Sequence, residues 1–114
     1  MTQNEMLLYE KQAEVAQAIA HPLRLAILDF LRDKEQCVCD IAEAAGSERS
    51  NISRHLSVMV NAGVLVSRKE GLKVYYRLKC PCILDFFPCI TKVLRQQIRD
   101  QEKLFRRLQL RKWS

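Results

Sequence analysis

Residues 40–61 constrain this chain most, because two short helical patterns meet there at a single Gly46-Ser47 break. Asp40 reads as an N-cap with Glu43 in the capping-box position, so residues 41–45 form a short helix that Gly46 ends. Ser47 reads as the next N-cap. Ile52, Leu56, Met59 and Val60 then recur at the spacing of a buried helical stripe, and Asn61-Ala62-Gly63 stops it. Arg49, Ser50, Ser53, Arg54 and Ser57 fall on the opposite face. Two short helices joined by a tight turn predict a helix-turn-helix. Small hydroxyl side chains allow close approach to a major groove, and arginine pairs with guanine or phosphate. Arg49, Ser50, Ser53 and Arg54 are therefore the candidate base-reading residues.

The next segment predicts a β-hairpin. Val64-Leu65-Val66-Ser67-Arg68 and Lys73-Val74-Tyr75-Tyr76-Arg77-Leu78 are rich in β-formers, with a tip at residues 69–72. Arg68, Lys69 and Lys73 cluster at that tip, as expected of a wing that lies along a phosphate backbone. Upstream, residues 4–20 read as a helix with Leu8, Val15 and Ile19 on one stripe. His21-Pro22 interrupts it, and Leu23, Ala26, Ile27, Phe30 and Leu31 mark a second amphipathic helix. Downstream, Cys80-Pro81-Cys82 starts irregularly, and Pro88 argues against one continuous helix, so a turn is expected at 83–87 and a long helix from about Pro88 to Gln109. Ile90, Val93, Leu94, Ile98, Leu104, Phe105 and Leu108 run down its one side. That apolar side predicts a homodimer built on the first and last helices. The expected fold is mainly α with a small β-wing, as a single domain over residues 1–114.

Charge supports a nucleic-acid partner. The 114-residue chain carries a net +6, with a pI near 9.3. Residues 1–45 hold four Lys/Arg and eight Asp/Glu, whereas residues 46–79 hold seven and two, and residues 90–114 hold eight and two. This basic balance meets the electrostatic criterion for a nucleic-acid-binding domain. No apolar run approaches the length of a membrane span, and no secretory leader is visible, so the expected location is cytoplasmic. The chain has no Cys-x-x-Cys, phosphate loop or nucleophile elbow, which argues against an enzyme.

Five cysteines, an odd number, are placed as Cys37-Val38-Cys39, Cys80-Pro81-Cys82 and Cys89. In a strand, residues i and i+2 project to one face, so an extended Cys37-Val38-Cys39 at a strand-to-helix junction aims both sulfurs one way. Sulfur-only sites favour thiophilic ions over magnesium, calcium or manganese. Three thiolates suit As(III) or Sb(III); four suit Zn(II) or Cd(II). The same thiols allow a disulfide or polysulfide switch instead.

These elements and local sequences resemble the ArsR/SmtB family of dimeric winged helix-turn-helix repressors. The resemblance rests on three stretches. His21-Pro22-Leu23-Arg24-Leu25-Ala26-Ile27-Leu28 is similar to the family's early helix. Ser50-Asn51-Ile52-Ser53-Arg54-His55-Leu56 with Ala62-Gly63-Val64-Leu65-Val66 resembles its recognition helix and exit. Cys37-Val38-Cys39-Asp40-Ile41-Ala42 resembles the thiolate motif of its arsenic-, cadmium- and lead-responsive members. The resemblance implies a repressor that binds a near-palindromic operator as a metal-free homodimer and leaves it when an ion is captured. It also implies that residues 37–39 lie beside the returning wing strand at 75–80, so that Cys80 and Cys82 come within reach and Cys89 can swing in. The chain departs from the family in three places. Ala42 stands where arsenic sensors carry a third cysteine. Residues 1–36 lack the N-terminal cysteines of cadmium and lead sensors. No histidine lies beyond His55, so the zinc- or nickel-type site of the last helix is missing. The expected inducer is As(III) or Sb(III), with Cd(II), Pb(II) or Zn(II) as the alternative. The expected ligands are drawn from Cys37, Cys39, Cys80, Cys82 and Cys89.

Overall fold

The computed structural model describes the backbone of residues 1–113 and the side chains through residue 108. The element order is α1 (Gln3–Ile19), α2 (Pro22–Phe30), β1 (Gln36–Cys37), α3 (Val38–Ala45), α4 (Arg49–Asn61), β2 (Leu65–Glu70), β3 (Lys73–Leu78), a 3-10 turn (Pro81–Asp85) and α5 (Phe86–Trp113). The chain divides into two compact units, Met1–Ile83 and Leu84–Ser114.

In the first unit α1 opens on a reciprocal cap, with Thr2 Oγ1 accepting from the Glu5 amide at 3.1 Å and Glu5 accepting from the Thr2 amide at 3.0 Å. Only Ala18 and Ile19 at its C-terminal end are buried, and Met6, Leu7, Leu8 and Tyr9 stay 45–56% exposed. His21 caps α2 through Nδ1, which accepts from the Leu23 amide at 3.1 Å, and Pro22 occupies the first helical position. Ile27 and Leu28 of α2, Ile41 of α3, Ile52, Leu56 and Met59 of α4, and Leu65 of β2 are fully buried, joined by Leu31. Ile27, Leu31, Ile52, Leu56 and Met59 bear out the spacing, but of the expected stripe Ala26 and Phe30 are exposed, Leu23 and Val60 half-buried, and Leu28 is buried in their stead. Each fully buried side chain contributes about 1.5–3 kcal/mol of burial.

The strands form one antiparallel sheet in the order β1-β3-β2. Gln36 pairs with Tyr76 and Cys37 with Tyr75, and β2 pairs with β3 from Leu65↔Leu78 to Glu70↔Lys73. β3 has the expected bounds, but β2 runs on to Glu70 instead of ending at Arg68, leaving a two-residue turn at Gly71-Leu72 rather than a four-residue tip. Gly71 has φ of 62° and, among the described residues, no non-glycine residue has positive φ, the pattern of a type II′ turn.

Two expected caps are corrected. Asp40 lies inside the first turn of α3, and Cys37 is its N-cap. Ser47 does not cap α4; Glu48 stands at that position. The reason is local. Gly46 adopts the left-handed conformation, and the Ser47 amide donates back to Ala42 at 3.1 Å to close α3. The Ser47 hydroxyl accepts from Asn51 Nδ2 at 2.9 Å instead of from a helix amide.

The second unit is dominated by α5. It begins at Phe86, two residues before the expected Pro88, which sits in its first turn. Proline costs nothing there, because first-turn amides have no intrahelical acceptor. Residues 83–85 of the expected turn belong to the 3-10 segment. Ile90, Val93, Leu94, Ile98, Leu104, Phe105 and Leu108 are 48–67% exposed on α5. Among the described residues no helix is long and apolar enough to cross a membrane.

Candidate metal centre and nucleic-acid interface

The thiol pair is built by a helix start. Cys37 is the last residue of β1 and the N-cap of α3, with extended φ and ψ of −83° and 161°. An N-cap side chain turns back over the second and third helical residues, and here those are Cys39 and Asp40. The Cys37 and Cys39 sulfurs and an Asp40 carboxylate oxygen consequently all lie within 4.8 Å of one another. The junction is where the sequence places it, but the pleat of an extended Cys37-Val38-Cys39 is not what gathers the sulfurs. Val38 and Cys39 are already helical.

The two thiols are not equivalent. Cys37 is 3% exposed, while Cys39 is half-buried and Asp40 exposed. The Cys37 thiol acts as donor toward the Cys39 sulfur, which lowers the Cys39 pKa and raises that of Cys37. Burial raises Cys37 further. The Asp40 amide and the positive charge of Lys73 also favour the Cys39 thiolate. The arrangement offers one thiol whose thiolate is favoured, a second thiol beside it and a carboxylate, a donor set that suits a thiophilic ion needing further ligands.

Cys80 and Cys82 are exposed and lie outside that group. The register explains it. Cys37 faces Tyr75, and Cys80 lies five residues further along the chain, beyond the end of β3 at Leu78. Cys89 is exposed on α5, in the second unit. Sequence reasoning treated Asp40 as a cap and so missed it as an oxygen donor. Its place directly after the Cys-Val-Cys motif was the available signal.

On the recognition face, α4 carries Arg49, Ser50 and Arg54 exposed and Ser53 half-buried, opposite the buried Ile52, Leu56 and Met59. His55 is half-buried on the inner side, where its Nδ1 accepts from Arg24 Nε at 3.0 Å. The same guanidinium donates to the Ala18 carbonyl at 3.3 Å, so α2 ties the end of α1 to the recognition helix. The His21 and His55 rings lie 4.5 Å apart. Burial lowers the His55 pKa, and His21, Arg24 and Arg54 lower it further.

On the wing, Lys69 and Lys73 are exposed. Arg68 is held by two carboxylates: its Nε donates to Glu35 at 2.8 Å and its Nη1 to Glu70 at 2.7 Å. Its guanidinium also lies 4.8 Å from the Tyr75 ring centroid. Nothing in the spacing of Glu35 and Arg68 announces this contact, because strand pairing creates it.

Residues 21–67 match the family described as bacterial regulatory protein, arsR family. The chain is 33% identical over 95 residues to the uncharacterized HTH-type transcriptional regulator Rv0081 of Mycobacterium tuberculosis, covering 82% of this chain and 83% of that one. It is 41% identical over 61 residues to the arsenical resistance operon repressor of Escherichia coli, about half of each chain. The solution structure of a homodimeric winged helix-turn-helix DNA-binding domain, Mb0332 of Mycobacterium bovis, superposes with a TM-score of 0.73 at 28% identity, over 88% of this chain and 93% of that one. The likeness extends from the cap of α2 through the recognition helix to the wing. The chain belongs to the ArsR/SmtB family of winged helix-turn-helix regulators, DNA-binding proteins of transcription rather than enzymes.

Proposed function

We propose that this protein is a metal(loid)-responsive repressor acting in the cytoplasm. As an ion-free homodimer it binds a near-palindromic operator, and it leaves the DNA when As(III) or Sb(III) is captured. Arg49, Ser50, Ser53 and Arg54 read bases, and Arg68, Lys69 and Lys73 hold phosphates. The homodimer reading draws on the exposed apolar faces of α1 and α5 and on the homodimeric M. bovis neighbour.

One observation carries the sensing reading: Cys37, Cys39 and Asp40 gather at the start of α3, the first helix of the helix-turn-helix. Capture of an ion there acts on the element that sets the orientation of α4. Cys37 and Cys39 supply two thiolates, and Cys80, Cys82 or Cys89 supplies a third after the 80–89 segment moves or from a second copy. Four thiolates from the same cysteines would hold Cd(II), Pb(II) or Zn(II). Couplings of about 1–3 kcal/mol between ion and DNA suffice to switch an operator. The relationship to the E. coli arsenical resistance operon repressor supports the choice of metalloid.

A thiol-redox or persulfide trigger is the second reading, favoured by the adjacency of a stabilised Cys39 thiolate and the Cys37 thiol. A gel-shift titration separates the two. Arsenite releases DNA from the reduced wild type but not from C37S or C39S. Release by oxidant or polysulfide alone, with arsenite inert, selects the redox trigger. X-ray absorption on the arsenite- and cadmium-loaded protein counts the sulfurs.

A further inference from the structure

Arg68 is the one predicted phosphate-holding residue that enters ion pairs among the described residues. Its Nε donates to both Glu35 oxygens, at 2.9 and 2.8 Å, its Nη2 donates to Glu35 Oε1, and its Nη1 donates to Glu70 Oε2 at 2.7 Å. The two carboxylates offset the charge of Arg68, which the bare sequence presents as a free cation, with Arg77 also acting on Glu35. Sheet register builds the clamp. Glu35 precedes β1, whose Cys37 pairs with Tyr75, and Tyr75 also pairs with Arg68. Directly paired residues share a sheet face, and so do residues two apart in a strand. Glu35, Cys37, Tyr75, Arg68 and Glu70 therefore stand on one face. The Arg68 side chain is half exposed and Glu35 is 26% exposed, so the pair meets solvent and a ligand can compete for it.

We propose that Glu35 sets the DNA affinity of this protein by occupying Arg68 as an internal stand-in for phosphate. Before Arg68 takes a backbone phosphate, Glu35 must release it. Lys69 and Lys73 need no such exchange, so Arg68 is a conditional contact and the two lysines are standing ones. Exposed pairs are weak enough to exchange, and the several Arg68–Glu35 contacts, networked with Glu70, put this one among those strong enough to oppose binding. A carboxylate and a phosphate diester offer guanidinium the same geometry of two anionic oxygens. The inference uses the DNA-binding role of the family and does not depend on which ion, if any, the cysteines take.

The test is binding of the reduced, ion-free full chain to a mixed-sequence DNA duplex by fluorescence anisotropy across a salt series. E35Q binds about two- to five-fold tighter than wild type. Its log K against log salt steepens by about 0.9 for each additional phosphate that the protein neutralises. E10Q, which removes an equal charge from exposed α1, leaves both quantities near wild type. R68A binds more weakly than wild type, because it removes the phosphate contact and leaves Glu35 and Glu70 unpaired, and E35Q/R68A loses the tighter binding of E35Q. E70Q, which leaves the Glu35 contact in place, gives a smaller shift of the same sign. Circular dichroism confirms that each variant is folded. The proposal is overturned by an E35Q that behaves like E10Q, by tighter binding that survives in E35Q/R68A, or by weaker binding in E35Q. The last result would mean that Glu35 positions Arg68 for DNA instead of withholding it.

Discussion

Cys37 pairs with Tyr75 across β1 and β3, and this single register position decides the neighbourhood of the thiol motif. It sets Cys37 toward the wing-tip half of β3, whose Lys73 acts on the neighbouring Cys39, and away from Cys80, which lies past the strand's far end. Because Cys37 also caps α3, sheet, helix-turn-helix and wing meet at one buried sulfur.

The inequality of the two thiols has a chemical readout. Cys39 should be alkylated by iodoacetamide near neutral pH well before Cys37, as followed by peptide mass spectrometry. In C37A the donor that most lowers the Cys39 pKa is gone, so alkylation of Cys39 should slow. Equal rates for Cys39 in the two proteins would remove the coupling between the sulfurs.

Leu56 is 0% exposed on the inner face of α4. L56A should cost about 2–5 kcal/mol, measured as a lower denaturant midpoint at unchanged slope. R54A, on the outer face of the same helix, should leave that midpoint within about 0.5 kcal/mol and instead weaken operator binding. The pair of variants separates the two faces of one helix.

His55 links the recognition helix to Arg24, with its Nδ1 as acceptor. Protonation converts that acceptor to a donor, beside the charges of Arg24 and Arg54 and next to His21. The folded-state pKa lies below the ordinary value of 6.5, so the unfolded chain binds more protons as pH falls. The contribution of neutral His55 is full above 6.5 and is lost as pH drops through the folded value. Urea midpoints from pH 7.5 to 5 should fall for wild type and fall less for H55Q.

Gly46 ends α3 at φ of 62°, and a Cβ added there would meet nothing within 4 Å. The cost of G46A is therefore one of backbone conformation alone, about 1–2 kcal/mol. A thermal midpoint lowered by several degrees, with the far-ultraviolet spectrum intact, is the expected result.

Local chemistry determined most of the fold on its own. The Ile52, Leu56 and Met59 stripe, Gly46 as a terminator, Pro22 at a helix start and the two β-rich runs of the wing each report interactions within a few residues, and the sequence carries those directly. The meeting of Cys37 with Cys39 was legible for the same reason, although a helix cap rather than a pleat produces it. Tertiary structure alone decided the rest. Glu35 reaches Arg68 across 33 residues and Arg24 reaches His55 across 31, because strand register and helix packing set those distances. Periodicity says which face a residue occupies; it does not say which residue of another element stands opposite. That is why the helix-turn-helix could be read from the chain, while the clamp on Arg68 and the pairing of Cys37 with Tyr75, five residues short of Cys80, required the assembled sheet.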